Sequence, residues 1–408
     1  MAFPNSETYI APEPRERLWN ANYNKVMLTN FTLFFAFYLI TPLLPLYLSE
    51  TYHATKDTIG LALSGYTLFA LVSRLFSGYL VDTYPRKKVL LFATALYAVC
   101  FESYLLAGSL LSFTLLRTIH GAPFGTSTVA NSTMAIDVLP SSRRNEGIGF
   151  YGISNNLGSA LGPTVGLYIY QQTHSFQLLF WLALAIAIVG FVSSAMIRYD
   201  RIPESLQAKH SATPKPSLDR FFLLKGWYIA LNICTFGFCW GLMSNYLAIY
   251  GKEHLGTAST TGLWFLILSA GLITSRMFGQ KAIRQGKLAE SAMQGIALST
   301  IGYIIFIALP GTFTYYFSAV LIGLGNGRLW PAFQNMIIQI AKPNERGTAN
   351  STILTSWDLG MGAGILFGGV IAEKFNFDAA FWMMAAMHIV GLSVYTLITK
   401  HKYTEAIQ

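Results

Sequence analysis

Charge is scarce in this 408-residue chain: Asp, Glu, Lys and Arg make up 12% of it, against 53% hydrophobic residues. A soluble domain covers itself with charge, and none of this size buries so much apolar surface, so an aqueous globular enzyme or binding module is excluded. Cysteine is nearly absent. Cys100, Cys234 and Cys239 all fall inside apolar runs and read as packing residues, which argues against a disulfide framework or a thiolate metal site. Histidine is sparse too. His120 and His388 lie well within apolar runs without a partner at metal-ligand spacing, so neither a metal nor a cofactor is expected. The formal charge of +9 lacks the soluble, basic, aromatic-interleaved domain that nucleic acid requires. No nucleophile and base gather near one interface, so enzymatic activity is not expected either.

What the chain does have is hydrophobic length. About a dozen apolar runs reach the roughly 20 residues that a spanning helix needs, at 26–48, 58–81, 89–109, 111–136, 147–170, 177–197, 227–250, 258–279, 289–309, 315–340, 349–372 and 379–399. They imply an all-α membrane protein of twelve transmembrane helices in two six-helix bundles. Residues 1–25 read as a polar tail without a cleavable signal, 26–198 as the first bundle, 199–225 as a linker, 226–400 as the second bundle and 401–408 as a short tail. The cations follow one side. Arg15, Arg17, Lys25, Arg143, Arg144, Lys281, Arg284, Lys287, Lys342, Arg346, Lys400 and Lys402 lie on the side of the termini, whereas the opposite turns carry Lys56, Lys252 and Lys374. Short loops rich in Lys and Arg resist translocation, so both termini and the linker are expected in the cytoplasm.

An internal repeat supports the division. Ser73-Arg74-Leu75-Phe76 recurs as Ser275-Arg276-Met277-Phe278, and Pro140 to Arg143 resembles Pro343 to Arg346, at nearly equal offsets of about half the chain. Between the second and third runs lies GYLVDTYPRKK, Gly78 to Lys88. Gly78 admits a close helix neighbour, Asp82 accepts hydrogen bonds, and Arg86, Lys87 and Lys88 hold the turn on the cytoplasmic side. In the fifth run, GFYGISNNLGSALGPTVG places Gly149, Gly158, Gly162, Pro163 and Gly166 in the order G-x8-G-x3-G-P-x2-G. Glycines four apart make a smooth helix face, and Pro163 removes a backbone hydrogen bond, so this helix forms a tightly packed, bendable seam.

The turn in the form G-x-L-x-D-x-x-x-R-K-K resembles the signature between the second and third helices of major facilitator superfamily transporters. The fifth-run pattern resembles that of the superfamily's drug:proton antiporters, although Leu167 stands where a second Gly often closes it. TPLLPLYL, Thr41 to Leu48, and Arg117 with Gly121 and Gly125 agree, and the resemblance extends from about Lys25 to Lys400. Two departures stand out: the second-half turn near Arg284 has no Asp, and the first span has no acidic residue.

Charges inside a bilayer are costly and mark candidate sites. Four lie away from the span ends: Glu102, Arg117, Arg328 and Asp358. Depth at about 1.5 Å per residue suggests two intramembrane pairs, Glu102 with Arg117 and Arg328 with Asp358, with His120 a further candidate for proton coupling. An acid beside an arginine stays ionised until the arginine is drawn away, whereupon burial favours its protonated form. The resemblance implies a cavity lined by helices 1, 4, 7 and 10, which favours Arg117, Arg328 and Asp358 over Glu102 and His388. Aromatic and amide residues at mid-depth, namely Phe37, Tyr38, Asn155, Asn156, Trp240, Asn245, Trp330, Gln334, Asn335 and Trp357, suit planar or amphipathic organic molecules. The expectation is a proton-coupled efflux antiporter of small organic molecules, multidrug in type, working as a monomer by alternating access in the plasma membrane or a bacterial inner membrane. An uptake symporter or facilitator for a sugar, nucleoside or other metabolite, or a lipid flippase, is the alternative.

Overall fold

A backbone in hydrocarbon has no water to bond to, so each apolar run must satisfy its own N–H and C=O groups, and it does so as helix. The computed structural model describes residues 17–140, 143–198, 222–255, 259–284, 286–342 and 346–407, so nearly all of the expected linker and most of the N-terminal tail lie outside the described residues. In the first half the helices are α1 (Ala21–Ile40), α2 (Leu44–Tyr52), α3 (Lys56–Thr83), α4 (Arg86–Leu105), α5 (Leu110–Val138), α6 (Arg144–Thr173) and α7 (Phe176–Ala195). The second half contains α8 (Trp227–Leu255), α9 (Ser259–Arg284), α10 (Leu288–Ala308), α11 (Thr312–Ile340), α12 (Arg346–Lys374), α13 (Phe377–Val394) and α14 (Lys400–Ile407). Pro42 and Pro45 lack the N–H that would continue α1, so a 3₁₀ turn, Thr41–Leu43, joins α1 to α2 as one crossing. A π-helical segment, Tyr395–Thr399, likewise carries α13 into α14. The result is a twelve-helix membrane protein of two six-helix bundles.

Among the described residues, nine helical stretches are long and apolar enough to cross a membrane on composition alone. The other three crossings, α5, α6 and α11, have ample length at 29, 30 and 29 residues. Their polar residues, among them Arg117, His120, Asn155, Asn156 and Asn326, face the protein interior rather than lipid. Toward the outside the molecule shows Leu61, Phe76, Phe92, Leu111, Met277, Phe278 and Phe313, as a lipid-facing surface should. Helix starts are capped by side chains: Asn20 accepts from the Tyr23 N–H at 2.8 Å, Ser109 and Ser112 cap one another at α5, and Asn376 accepts from Ala379 at 2.8 Å.

The two halves repeat one another in detail. Packing of α1 on α6 and α7, α3 on α5, and α4 on α5 and α7 recurs as α8 on α12 and α13, α9 on α11, and α10 on α11 and α13. The repeat keeps register at 202 positions: Gly158, Gly162 and Gly166 correspond to Gly360, Gly364 and Gly368, and Arg74 to Arg276. These glycines make the α1–α6 and α8–α12 seams. A Cβ on Gly166 would stand 2.0 Å from the Leu39 carbonyl oxygen, and one on Gly364 would stand 2.0 Å from that of Phe238. In the first half, Arg86 Nη1 donates to both Asp137 carboxylate oxygens at 2.5 and 2.6 Å, and Lys87 donates to the Ile197 carbonyl at 2.7 Å. The α3–α4 turn is thereby tied to α5 and to the end of α7. The Asp82 side chain and Gly149 lie outside what is described.

Two equivalent interfaces join the halves, α3 against α12 and α9 against α6. At the end far from the termini the contact is reinforced by charge. Lys252 pairs with Glu50, which also accepts from the Tyr170 hydroxyl at 2.7 Å, while Lys56 lies 3.5 Å from Glu253 and its N–H donates to Glu373 at 2.8 Å. Toward the terminus end, the site where a Gly78 Cβ would stand has no described residue within 4 Å, so among the described residues no neighbour makes the close approach that its sequence suggests. The Glu50–Lys252 pair is exposed, and such pairs contribute about 0–1 kcal/mol. Glu50→Gln is accordingly expected to move the thermal midpoint of the purified protein little, and to raise modification of a cysteine placed at Thr164 by a membrane-impermeant thiol reagent.

Candidate functional site

Between the halves lies a cavity of about 1220 Å³, a volume that includes its open mouth. Its walls come from both repeats. Phe34, Phe37 and Tyr38 of α1 and Asn155, Asn156 and Ser159 of α6 meet Phe236 and Trp240 of α8, Asn326 and Trp330 of α11 and Trp357 of α12. Trp330 and Trp357 pack edge to face with centroids 5.1 Å apart, and the Trp240 indole N–H points to the Tyr38 hydroxyl across the halves at 3.4 Å. An apolar, aromatic enclosure with a few convergent polar groups is the usual composition of a small-molecule site.

Among the described residues, the charged groups of this wall are Arg74, Asp358 and Arg276. Arg74 of α3 and Asp358 of α12 form an ion pair across the halves, with side chains 8% and 4% exposed. The Arg74 Nε also reaches toward Thr128 Oγ1 at 3.4 Å. In the equivalent interface Arg276 of α9 reaches over α6, its Nη1 lying 3.9 Å from the site of a Gly152 Cβ. Arg276 Nε is buried without a hydrogen-bond partner among the described residues, and so is Nδ2 of Asn156.

Neither of the two ion pairs expected from sequence is present. Asp358 pairs with Arg74 rather than Arg328, because α12 turns that carboxylate toward the opposite half. Arg328 points away from the cavity and donates to Gln294 Oε1 on α10 at 2.5 Å. Glu102 is exposed, since Tyr97, Phe101 and Tyr104 occupy the buried face of α4. Arg117 instead donates to the Tyr104 hydroxyl at 3.1 Å and lies over the Tyr66 ring at 4.0 Å. That hydroxyl also bonds His120 Nδ1 at 2.5 Å, forming a buried Arg117–Tyr104–His120 cluster. Arg117 lines a smaller neighbouring cavity of about 270 Å³ together with Asn245, whose amide donates to the Gly241 carbonyl on its own helix at 2.9 Å.

Of the other aromatic and amide candidates, Phe37, Tyr38, Asn155, Asn156, Trp240, Trp330 and Trp357 line the main cavity. Gln334 and Asn335 are not among the lining residues; Asn335 donates to the Pro331 carbonyl one turn earlier at 2.7 Å. His388 comes from α13, a helix expected outside the cavity, yet reaches the wall with Nδ1 2.8 Å from Thr300 Oγ1. Arg74 and Arg276 were not among the candidates, because the sequence places both near span ends. The available signal was their repetition: α3 and α9 run on to Thr83 and Arg284, which sets both arginines more than two turns inside the helix.

Two repeated bundles enclosing a central pocket, with an ion pair across them, are the architecture of a transporter of small substrates. The family model of the Major Facilitator Superfamily matches residues 26–288 and 286–407, and the chain belongs to that family. It is 21% identical over 384 residues to the quinolone resistance protein NorA of Staphylococcus aureus strain MRSA252, covering 91% of this chain and 95% of that one. It is 24% identical over 407 residues to the multidrug resistance protein MdtG of Proteus mirabilis strain HI4320, covering 95% and 98%. Among solved structures, the peptide transporter POT in complex with sulfate superposes with a TM-score of 0.76 at 14% identity, over 96% of this chain and 97% of that one.

Proposed function

We propose that the protein is a proton-coupled antiporter that exports small organic molecules by alternating access. The observation that carries this reading is the Arg74–Asp358 pair, a buried acid at mid-depth whose counter-ion belongs to the other half. When the halves rock apart along α3 and α12, Asp358 loses Arg74 and takes up a proton; when they close again, Arg74 returns and the proton leaves. The adjoining aromatic wall binds substrate close enough for its occupancy to bias the same movement. Relatives named for quinolone and multidrug resistance support export of organic compounds.

With the cationic terminus end in the cytoplasm, the charged contacts at the far end close the outer side, and the conformation is inward-facing. The protein acts as a monomer, since both repeats lie in one chain, in a plasma membrane or bacterial inner membrane. The test is movement of a charged aromatic dye, fluorescein and ethidium in separate runs, in proteoliposomes under an imposed pH gradient, with internal pH followed by a trapped dye of distinct emission. Substrate-dependent proton flux in the opposite direction is expected. Dye movement that ignores the gradient points to a facilitator instead.

A further inference from the structure

The two interfaces between the halves are equivalent by the repeat, yet their charges are not. Arg276 stands 202 positions after Arg74, and Asp358 stands 202 positions after Asn156. Where the α3–α12 interface holds an arginine and its acid, the α9–α6 interface therefore holds an arginine and an amide. Asn156 lies one turn beyond Gly152 on the same face of α6, and Arg276 reaches over that Gly152 surface. Both side chains line the cavity, and both have an N–H donor without a partner among the described residues: Nε of Arg276 and Nδ2 of Asn156. The Arg74–Asp358 pair cancels its own charge, so among the described residues the cavity wall carries one uncompensated cation beside a free amide donor. A half-buried cation and a buried donor with no acceptor are both costly, and a ligand that supplies negative oxygens relieves both at once.

We propose that Arg276 and Asn156 receive the anionic group of the substrate, so that the cavity takes aromatic organic anions: carboxylates, sulfonates or phosphates whose ring system packs on Trp330 and Trp357. A guanidinium offers two parallel N–H donors to such a group, and the asparagine amide adds a third. This rests on the transport reading and narrows its substrate class.

The experiment compares two fluorescent aromatic probes of opposite charge, fluorescein as the anion and ethidium as the cation, by fluorescence anisotropy with the purified full chain. The expected result is tighter binding of fluorescein by the unmodified protein. Arg276→Gln weakens it about ten-fold or more, as loss of a hydrogen-bonded charge does, while ethidium binding is unchanged or stronger. Arg276→Lys falls between the two, keeping the charge but losing the fork. Asn156→Asp gives an independent route to the same outcome, because it supplies Arg276 with the acid that Arg74 already has. It should abolish fluorescein binding with the arginine still in place. A preference for ethidium in the unmodified protein, binding of neither probe, or equal loss of both probes in all three variants overturns the assignment. Proton-linked flux of either probe in proteoliposomes is read in parallel. Flux without an anion preference leaves the transport reading standing, and an anion preference without flux sinks that reading alone.

Discussion

Asp358→Asn and Arg74→Gln are each expected to abolish proton-driven transport and to destabilise the protein by about 3–5 kcal/mol, while the double variant recovers most of the stability and none of the coupling. Either single change leaves one buried charge without its partner, and removal of one member of a buried pair typically costs that much. The environment makes this severe: both side chains are at most 8% exposed, and the pair sits between two helices that belong to different bundles. Removing both charges takes away the penalty, so the double variant should lie within about 1–2 kcal/mol of the unmodified protein, a coupling that a double-mutant cycle measures directly. Coupling follows a different rule. It needs a group that binds a proton in one conformation and releases it in the other, and an asparagine cannot do so whatever its neighbour. Thermal unfolding in detergent and pH-gradient-driven flux of whichever dye the unmodified protein carries separate the two readouts. Full proton coupling in Asp358→Asn would make the pair a structural clasp and remove it from the transport cycle.

How far the sequence could anticipate this site differs between helix and side chain. Membrane spans were legible because apolar length is a one-dimensional property, and the duplication was legible because Ser73-Arg74 and Ser275-Arg276 repeat as strings. Depth was legible too, from rise per residue. Azimuth was not. Arg328 and Asp358 could be assigned nearby depths, but whether they face one another depends on which side of α11 and α12 meets the cavity. Asn326, Leu329 and Trp330 take that face of α11, which turns Arg328 toward Gln294. The same applies to Glu102, displaced from the interior by three aromatic residues of α4. Arg74 was missed for a further reason: its partner lies 284 positions away in the other bundle, and no local pattern links α3 to α12. The register of the repeat carries that information once the interfaces are known to be equivalent, since it aligns Asp358 with Asn156 and shows where one acid is missing.

The glycine seams predict effects of opposite sign from one substitution. At Gly166 and Gly364 an alanine Cβ would stand 2.0 Å from a carbonyl oxygen of the facing helix, a separation that only movement of the backbone can relieve. Overpacking of this kind costs about 1–3 kcal/mol, and the rigidity of two long helices places these sites at or above the upper end of that range. Gly166→Ala and Gly364→Ala are therefore expected to lower the thermal midpoint sharply, by opening the α1–α6 and α8–α12 seams that hold each bundle together. At Gly78 the same change meets no described residue within 4 Å, and alanine is favoured over glycine in a helix by about 0.5–1 kcal/mol. Gly78→Ala should therefore leave the midpoint level or raise it. A larger residue separates packing from motion: Gly78→Leu projects into the space left around its Cβ and is expected to obstruct any state in which the terminus ends of α3 and α12 close together. Such a variant should fold with an unchanged midpoint and transport slowly, its cysteine accessibility fixed in the pattern of the open terminus end. Unimpaired transport by Gly78→Leu would mean that the halves do not close at this turn.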